Sequence, residues 1–241
     1  MPIRNDRHVQ QTALGGSSNY IRNNIEVLIR KYAGDKKFYE TVNFSWTKDV
    51  EKDYPLIRNE LTRLIQNKEI PSWESLSNDP NVRIGDSWKT FVFCAYGKYF
   101  KQNCQTCPNT FLAINKIKGL KTAWFSILAP QSKLPKHAGP YNGVLRYHLG
   151  LIIPNLDPAI CGIDVGGETR GWKEGESLIF DDSHLHSAWN LSNEKRVVLF
   201  VDFERPLPFL ISILNKLVIF LVSYTKFMRK TRKNILKSQK L

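Results

Sequence analysis

Apolar residues follow one rhythm in the first half of the chain and another in the second. The stretch NYIRNNIEVLIRKYAG reads as a helix ended by Gly34. A second helix is predicted over Pro55 to Asn67, where Leu56, Ile57, Leu61, Leu64 and Ile65 form one stripe. Residues 71–87 are rich in Ser, Asn, Asp and Pro and read as loop. WKTFVFCAYGKYF is a strand candidate, and CPNTFLAINKIKGL a helix with Pro108 in its first turn and Gly119 as its stop. The pattern then shortens. KTAWFSILAP, GVLRYHLGLIIP, ICGIDVGG, ETRGWKEG, SLIFDD, HSAWNLS and RVVLFVDFERP are brief runs separated by Gly, Pro, Asn and Asp. That spacing belongs to a jelly roll or all-β barrel. The predicted fold is mainly β with a helical N-terminal half. A flexible arm over residues 1–18 precedes a domain over 19–206, whose jelly-roll core begins near 121. Residues 207–241 form an appended apolar helix and a basic tail.

The C-terminal segment stands apart in pattern and in charge. Projected as a helix, FLISILNKLVIFLVSYT gathers Ser212, Asn215, Lys216 and Ser223 on one stripe and leaves the rest of its surface apolar. It is short for a membrane span, which needs about 20 residues. It suits a helix lying in a membrane plane, or one docked on the domain or on a second subunit. From Lys226 onward there are seven Lys and Arg and no acid, so the formal net charge of +13 divides into +7 here and +6 elsewhere. A basic tail of this kind points to an anionic surface. No nucleic-acid-binding motif accompanies it, so peripheral association with anionic membrane is the expectation.

Length and composition fit a globular protein: 241 residues, 42% hydrophobic, 24% charged. MPIRNDRHVQQTALGG has no apolar core of a secretory signal, so a cytoplasmic location is expected. Four cysteines agree with it. Cys104 and Cys107 form a C-x-x-C, but Cys94 and Cys161 make no second pair, so zinc is weakly supported and reduced thiols are favoured over a disulfide.

The chemistry-bearing residues lie in the second half. Arg146 and His148 alternate with Tyr147 and Leu149 and therefore share one face of a strand. His137 precedes that strand. His184 and His186 follow the acidic turn DDS, and by chemistry alone either could hold a metal. Arg196 opens an apolar run ten residues after His186, a spacing that suits a hairpin with both residues on adjoining strands. A buried arginine there needs an acceptor, and no nearby acid supplies one, so a bound carboxylate is expected. Asp181 and Asp182 fit turn chemistry better than metal binding, and Trp172 and Trp189 read as core.

Four motifs in register carry a resemblance: HAGPYNGVLRYHLGLIIP, W-x-x-G-x-x-L-I-F-D-D-S, H-x-x-W-N and R-V-V-L-F-V-D-F-x-R-P. From about Cys107 to Pro206 the chain resembles the aspartyl/asparaginyl β-hydroxylases, a branch of the Fe(II)/2-oxoglutarate-dependent dioxygenases with a double-stranded β-helix. The resemblance implies iron held by His137 and His186, with Gly139 where related enzymes carry an aspartate ligand. It assigns Arg196 to the distal carboxylate of 2-oxoglutarate, and Ser126, Arg146 and His148 to its surroundings. Two imidazoles leave room on iron for 2-oxoglutarate and O2, and a guanidinium fork suits a carboxylate. The acceptor is expected to be an Asp or Asn side chain of a peptide or protein, since HAG follows that branch of the family. A membrane-lipid acyl chain, of lipid A or ornithine-lipid type, is the alternative. A jelly roll that binds metal or ligand without turnover is a third reading, against which His137, His186 and Arg196 stand together.

Overall fold

A computed structural model describes residues 16–77 and 82–239. The arm expected over 1–18 lies outside the described residues up to position 15, and Gly16 already belongs to the first helix. That helix, α1 (Gly16–Ala33), ends where Gly34 takes φ 73° and its N–H reaches back to the Arg30 carbonyl at 3.0 Å. Further helices are α2 (Trp46–Lys52), α3 (Tyr54–Asn67), α4 (Trp73–Leu76), α5 (Lys101–Thr106) and α6 (Pro108–Asn115). The short α4 lies inside the stretch expected to be loop. The N-terminus of α6 is held from a distance. The buried carboxylate of Glu60 in α3 accepts from the Asn109 and Thr110 backbone N–H groups, the Asn109 amide and the Thr110 hydroxyl, all at 2.7–2.8 Å.

The strands are β1 (Phe38–Tyr39), β2 (Trp88–Ala95), β3 (Lys98–Tyr99), β4 (Leu120–Leu128), β5 (Ser132–His137), β6 (Val144–Ile152), β7 (Cys161–Val165), β8 (Glu168–Gly171), β9 (Ser177–Phe180), β10 (His186–Asn190) and β11 (Arg196–Glu204). They form two open antiparallel sheets, a jelly roll. The larger has the order β1-β9-β6-β11-β4-β2-β3 and the smaller β5-β10-β7-β8. The run expected as one strand from Trp88 to Phe100 breaks at Tyr96 and Gly97, whose φ values of 47° and 80° make a two-residue hairpin turn.

Alternation along the larger sheet separates two cores. Leu145, Tyr147 and Leu149 of β6 and Leu199, Val201 and Phe203 of β11 pack against Ile57, Leu61 and Ile114 of the helices. On the other face, Trp124, Val198 and Phe200 meet Leu134, Ile163, Val165 and Ala188 of the smaller sheet. Arg146, His148 and Arg196 share this inner face by register, so the strands deliver polar groups into the space between the sheets.

Two expectations change. The hairpin thought to join His186 and Arg196 does not form: β10 pairs with β5 and β7, whereas β11 pairs with β4 and β6. The buried Asn190 amide donates to the Leu128, Ala129 and Glu194 carbonyls, which ties the turn to the end of β4 and leads the chain across to the other sheet. His186 and Arg196 therefore lie on opposite sheets. The basic tail is also no tail. After α7 (Phe209–Ser223) the chain bends by 59° into α8 (Lys226–Ser238), capped at its start by the Thr225 hydroxyl. Met228, Thr231 and Ile235 of α8 are buried, and Arg232 donates to the Ala95, Tyr96 and Ser223 carbonyls.

Candidate active site

His137 ends β5 and His186 opens β10, directly opposite each other in the ladder. Their ring centroids are 4.2 Å apart. Each Nδ1 sits against a backbone carbonyl two residues earlier, Pro135 at 2.8 Å and His184 at 2.9 Å. Those bonds fix the tautomer with the proton on Nδ1 and leave each Nε2 with its lone pair, the form that ligates a metal. Burial, then His137 and Arg146, hold His186 well below the ordinary histidine range, so it is neutral at physiological pH. The His184 ring points instead toward Asp35, 3.7 Å away. Among the described residues no third His, Cys, Asp or Glu completes a metal-sized cluster.

Gly139 is sterically required. A Cβ there would come within 2.1 Å of Asp182 Oδ2, and the Gly139 N–H donates to the Asp182 carbonyl at 2.7 Å. Asp182 is buried, and its carboxylate meets Arg146 Nη2 at 2.7 Å. Burial, opposed by Arg146, pushes the Asp182 carboxyl up to about 7. Arg146 also bonds Asp202 across the strand at 2.9 Å and lies over the Phe200 ring. Asp181 does what a turn residue does, accepting from the Ser183 N–H, but it also pairs with the buried Arg205.

A second set of polar groups has few partners. Arg196 is 1% exposed, its guanidinium lies 4.7 Å from the Trp172 ring centre, and its Nε and Nη1 have no partner. Burial pulls its pKa down to about 10. His148 accepts from Trp172 Nε1 on Nδ1, at 3.2 Å, so its proton sits on Nε2, which is also buried and unpartnered. Burial and then Arg196 keep His148 neutral. Ser126 Oγ accepts from Trp88 Nε1 at 2.9 Å, which leaves its hydroxyl proton to donate. These three donors fit an anion with acceptor oxygens, and a dicarboxylate has them. Arg146, expected beside them, is occupied by Asp182 and Asp202.

Arg146 instead lines a cavity of about 250 Å³. His137, Gly139, Tyr141 and Arg146 line it together with Trp73, Trp88, Val92, Trp124 and Phe200, with Val222, Phe227, Met228 and Ile235 of α7 and α8, and with the polar Arg22, Thr122, Asp182 and Asp202. Trp73 sits between Trp88 and Trp124 with its ring tilted to both, and Trp124 stacks on Phe200 at 4.0 Å. Sequence reasoning missed this cavity. Trp73 sat in a presumed loop, and of the C-terminal segment only one helix was expected, with docking on the domain as one of its alternatives and the basic stretch after it read as a tail.

Two facing sheets with a histidine pair on one and buried, unpartnered donors on the other define a jelly-roll protein with a built polar site. The sequence places it further: the chain belongs to the aspartyl/asparaginyl beta-hydroxylase family, whose model matches residues 51–206. It is 44% identical over 208 residues to the ornithine lipid ester-linked acyl 2-hydroxylase of Rhizobium tropici, covering 85% of this chain and 74% of that protein. It is 32% identical over 173 residues to human aspartyl/asparaginyl beta-hydroxylase, covering 69% of this chain but 22% of the relative, and 33% identical to mouse aspartate beta-hydroxylase domain-containing protein 2, covering 61% and 43%. The chain thus spans less than half the length of these animal relatives. A Cupin_2 domain of an XRE family transcriptional regulator from Enterobacter cloacae aligns at 11% identity and TM-score 0.34, covering 50% of this chain and 99% of that one.

Proposed function

We propose that this chain is an Fe(II)- and 2-oxoglutarate-dependent hydroxylase acting on an acyl chain of a membrane lipid. The observation that carries the substrate class is the mainly apolar cavity, lined both by His137 and by residues of α7 and α8. A peptide side chain such as Asp needs polar partners along its backbone; this cavity holds Arg146, already paired with Asp182 and Asp202, and otherwise presents mainly tryptophans, valines and a methionine, which suit a hydrocarbon chain. The likeness to the Rhizobium tropici lipid hydroxylase supports the same reading.

The residues divide the work. His137 and His186 hold the iron through Nε2, each ring locked by its Nδ1 bond. Arg196 and His148, with Ser126, hold 2-oxoglutarate through their unpartnered donors. Iron(II) with 2-oxoglutarate and O2 would supply the oxidation of a C–H bond, releasing succinate and CO2. The Arg146 ion pairs with Asp182 and Asp202 keep this wall of the site rigid beside the acyl carbon. The tryptophan wall aligns the chain and excludes water.

The test is succinate release by the purified protein with Fe(II), 2-oxoglutarate and an ester-linked aminolipid, followed by mass analysis of the lipid. A gain of one oxygen on the acyl chain supports the reading. The family's Asp/Asn activity is the second reading, favoured by the HAG motif, whose Gly139 follows that branch in the resemblance drawn from the sequence. Oxygen found on an Asp- or Asn-bearing peptide, and not on lipid, would establish it instead.

A further inference from the structure

We infer that α7 docks in the plane of an anionic lipid bilayer, and that the bend between α7 and α8 is where the cavity meets that bilayer. With 15 residues at about 1.5 Å each, α7 is roughly 22 Å long, short of the ~30 Å of a bilayer core. Among the described residues no single helix is long and apolar enough to cross a membrane. Two of its polar residues, Asn215 and Ser223, do not face water as a surface helix's would. Asn215 is 1% exposed and donates to the Gly143 carbonyl at 2.8 Å, Ser223 is buried, and Val218 and Ile219 between them pack on Ile25 and Ile29 of α1. Helical spacing then turns the opposite arc outward, and apart from the exposed Lys216 at its edge it is apolar. Leu210, Ile213, Leu214, Leu217, Phe220 and Tyr224 are 40–73% exposed. A contiguous face of that kind exceeds what a monomer ordinarily leaves in water.

Charge selects the occupant. Next to this face α8 exposes Lys226, Arg229, Lys230, Lys233 and Lys237 and contains no acid. A second copy of this chain seated on α7 would bring two such arrays together, which like-charge repulsion opposes; an anionic bilayer complements them. An in-plane helix with adjacent lysines and arginines is the arrangement that combines apolar burial with headgroup attraction. Phe227 at the bend is 39% exposed and also lines the cavity, as do Val222, Thr225 and Met228. The docked surface and the cavity therefore share residues, and a lipid chain has a short route from bilayer to His137. That route rests on the acyl-chain reading above; the docking itself does not.

The experiment is co-sedimentation of the full chain with vesicles of phosphatidylcholine and phosphatidylglycerol in roughly a 2:1 ratio, with phosphatidylcholine vesicles for comparison. Binding is expected to the mixed vesicles and to be weak to the neutral ones. The Leu217→Glu/Phe220→Glu variant should melt as the parent does, since both side chains are at least half exposed, and should bind at least about tenfold less. High salt should weaken binding only in part, because apolar burial is not screened. Vesicle binding by that variant equal to the parent's would overturn the proposal. So would a parent dimer that the variant dissolves, with no vesicle binding by either. Vesicle binding that follows the prediction while detergent-dispersed lipid is not hydroxylated would uphold the docking and remove the acyl-chain reading. Hydroxylation of dispersed lipid without any vesicle binding would do the reverse.

Discussion

Replacing Arg196 with Met should make the protein more stable and inactive at once. The guanidinium is 1% exposed, with Nε and Nη1 unpartnered, and burial pulls its pKa down to about 10. An ordinary arginine lies near 12.5 or above, and each unit of depression corresponds to ~1.4 kcal/mol, so holding the charge there costs about 3 kcal/mol. The contact with Trp172, 4.7 Å from its ring centre, returns ~1–2 kcal/mol, and methionine keeps most of the aliphatic stem. The net gain for Arg196→Met is then ~1–2 kcal/mol, or roughly 3–6 °C in Tm for a domain of this size. The assay is thermal unfolding with Fe(II) under anaerobic conditions, with and without 2-oxoglutarate. The parent should gain about 2.7 kcal/mol at a 2-oxoglutarate concentration one hundred times its Kd. The variant should gain nothing and release no succinate. A variant that is less stable than the parent, or that 2-oxoglutarate still stabilises, would refute the idea that Arg196 is a charge waiting for a carboxylate.

Three further predictions follow from other parts of the structure. His148 is buried and neutral in the folded protein but takes up a proton near pH 6.5 when unfolded, so its contribution to stability is present above pH 6.5 and lost as pH falls. In metal-free urea titrations between about pH 6 and 5, His148→Gln should flatten the fall in stability by about 1.4 kcal/mol per pH unit relative to the parent; identical slopes would show that His148 is not held neutral. Val222→Trp, in the part of the cavity lining that α7 supplies, should abolish turnover of long acyl chains while sparing short ones; equal losses for both lengths would count against the cavity as the chain's seat. Glu60→Ala removes four hydrogen bonds from the start of α6 and should cost about 3–5 kcal/mol in urea unfolding, and a loss below ~1 kcal/mol would mean that water replaces the carboxylate.

Much of the fold is legible in the sequence because local signals and tertiary structure agree. Gly34 stops α1 with positive φ, Pro108 starts α6, and the short punctuated runs after residue 120 become strands; α6 itself ends at Asn115, four residues before the expected stop at Gly119, which turns the chain into β4. Single-residue alternation put Arg146 and His148 on one face, and the register keeps them there. What stayed hidden depends on distant partners. Trp73 is held by Trp88 and Trp124, which no nearby residue announces. Asn190 sends the chain to the other sheet through three carbonyls, two of them over 60 positions away. The Arg146 pairs with Asp182 and Asp202 join residues 36 and 56 apart in sequence, so strand pattern alone could not separate Arg146 from Arg196 and His148. In α7 the wheel put Ser212, Asn215, Lys216 and Ser223 on one stripe, but Lys216 stays exposed while Asn215 and Ser223 are buried. It could not show that Asn215 and Ser223 turn toward the domain and leave the apolar arc outside.

Mass spectrometry of lipids and peptides from cells expressing the parent or a His137→Ala/His186→Ala variant tests the central claim most directly. The account predicts acyl-chain species heavier by one oxygen with the parent only, labelled when the cells are grown under isotopic O2. The same lipid species in both cultures, or a new oxygen confined to Asp or Asn residues of a protein, would contradict it.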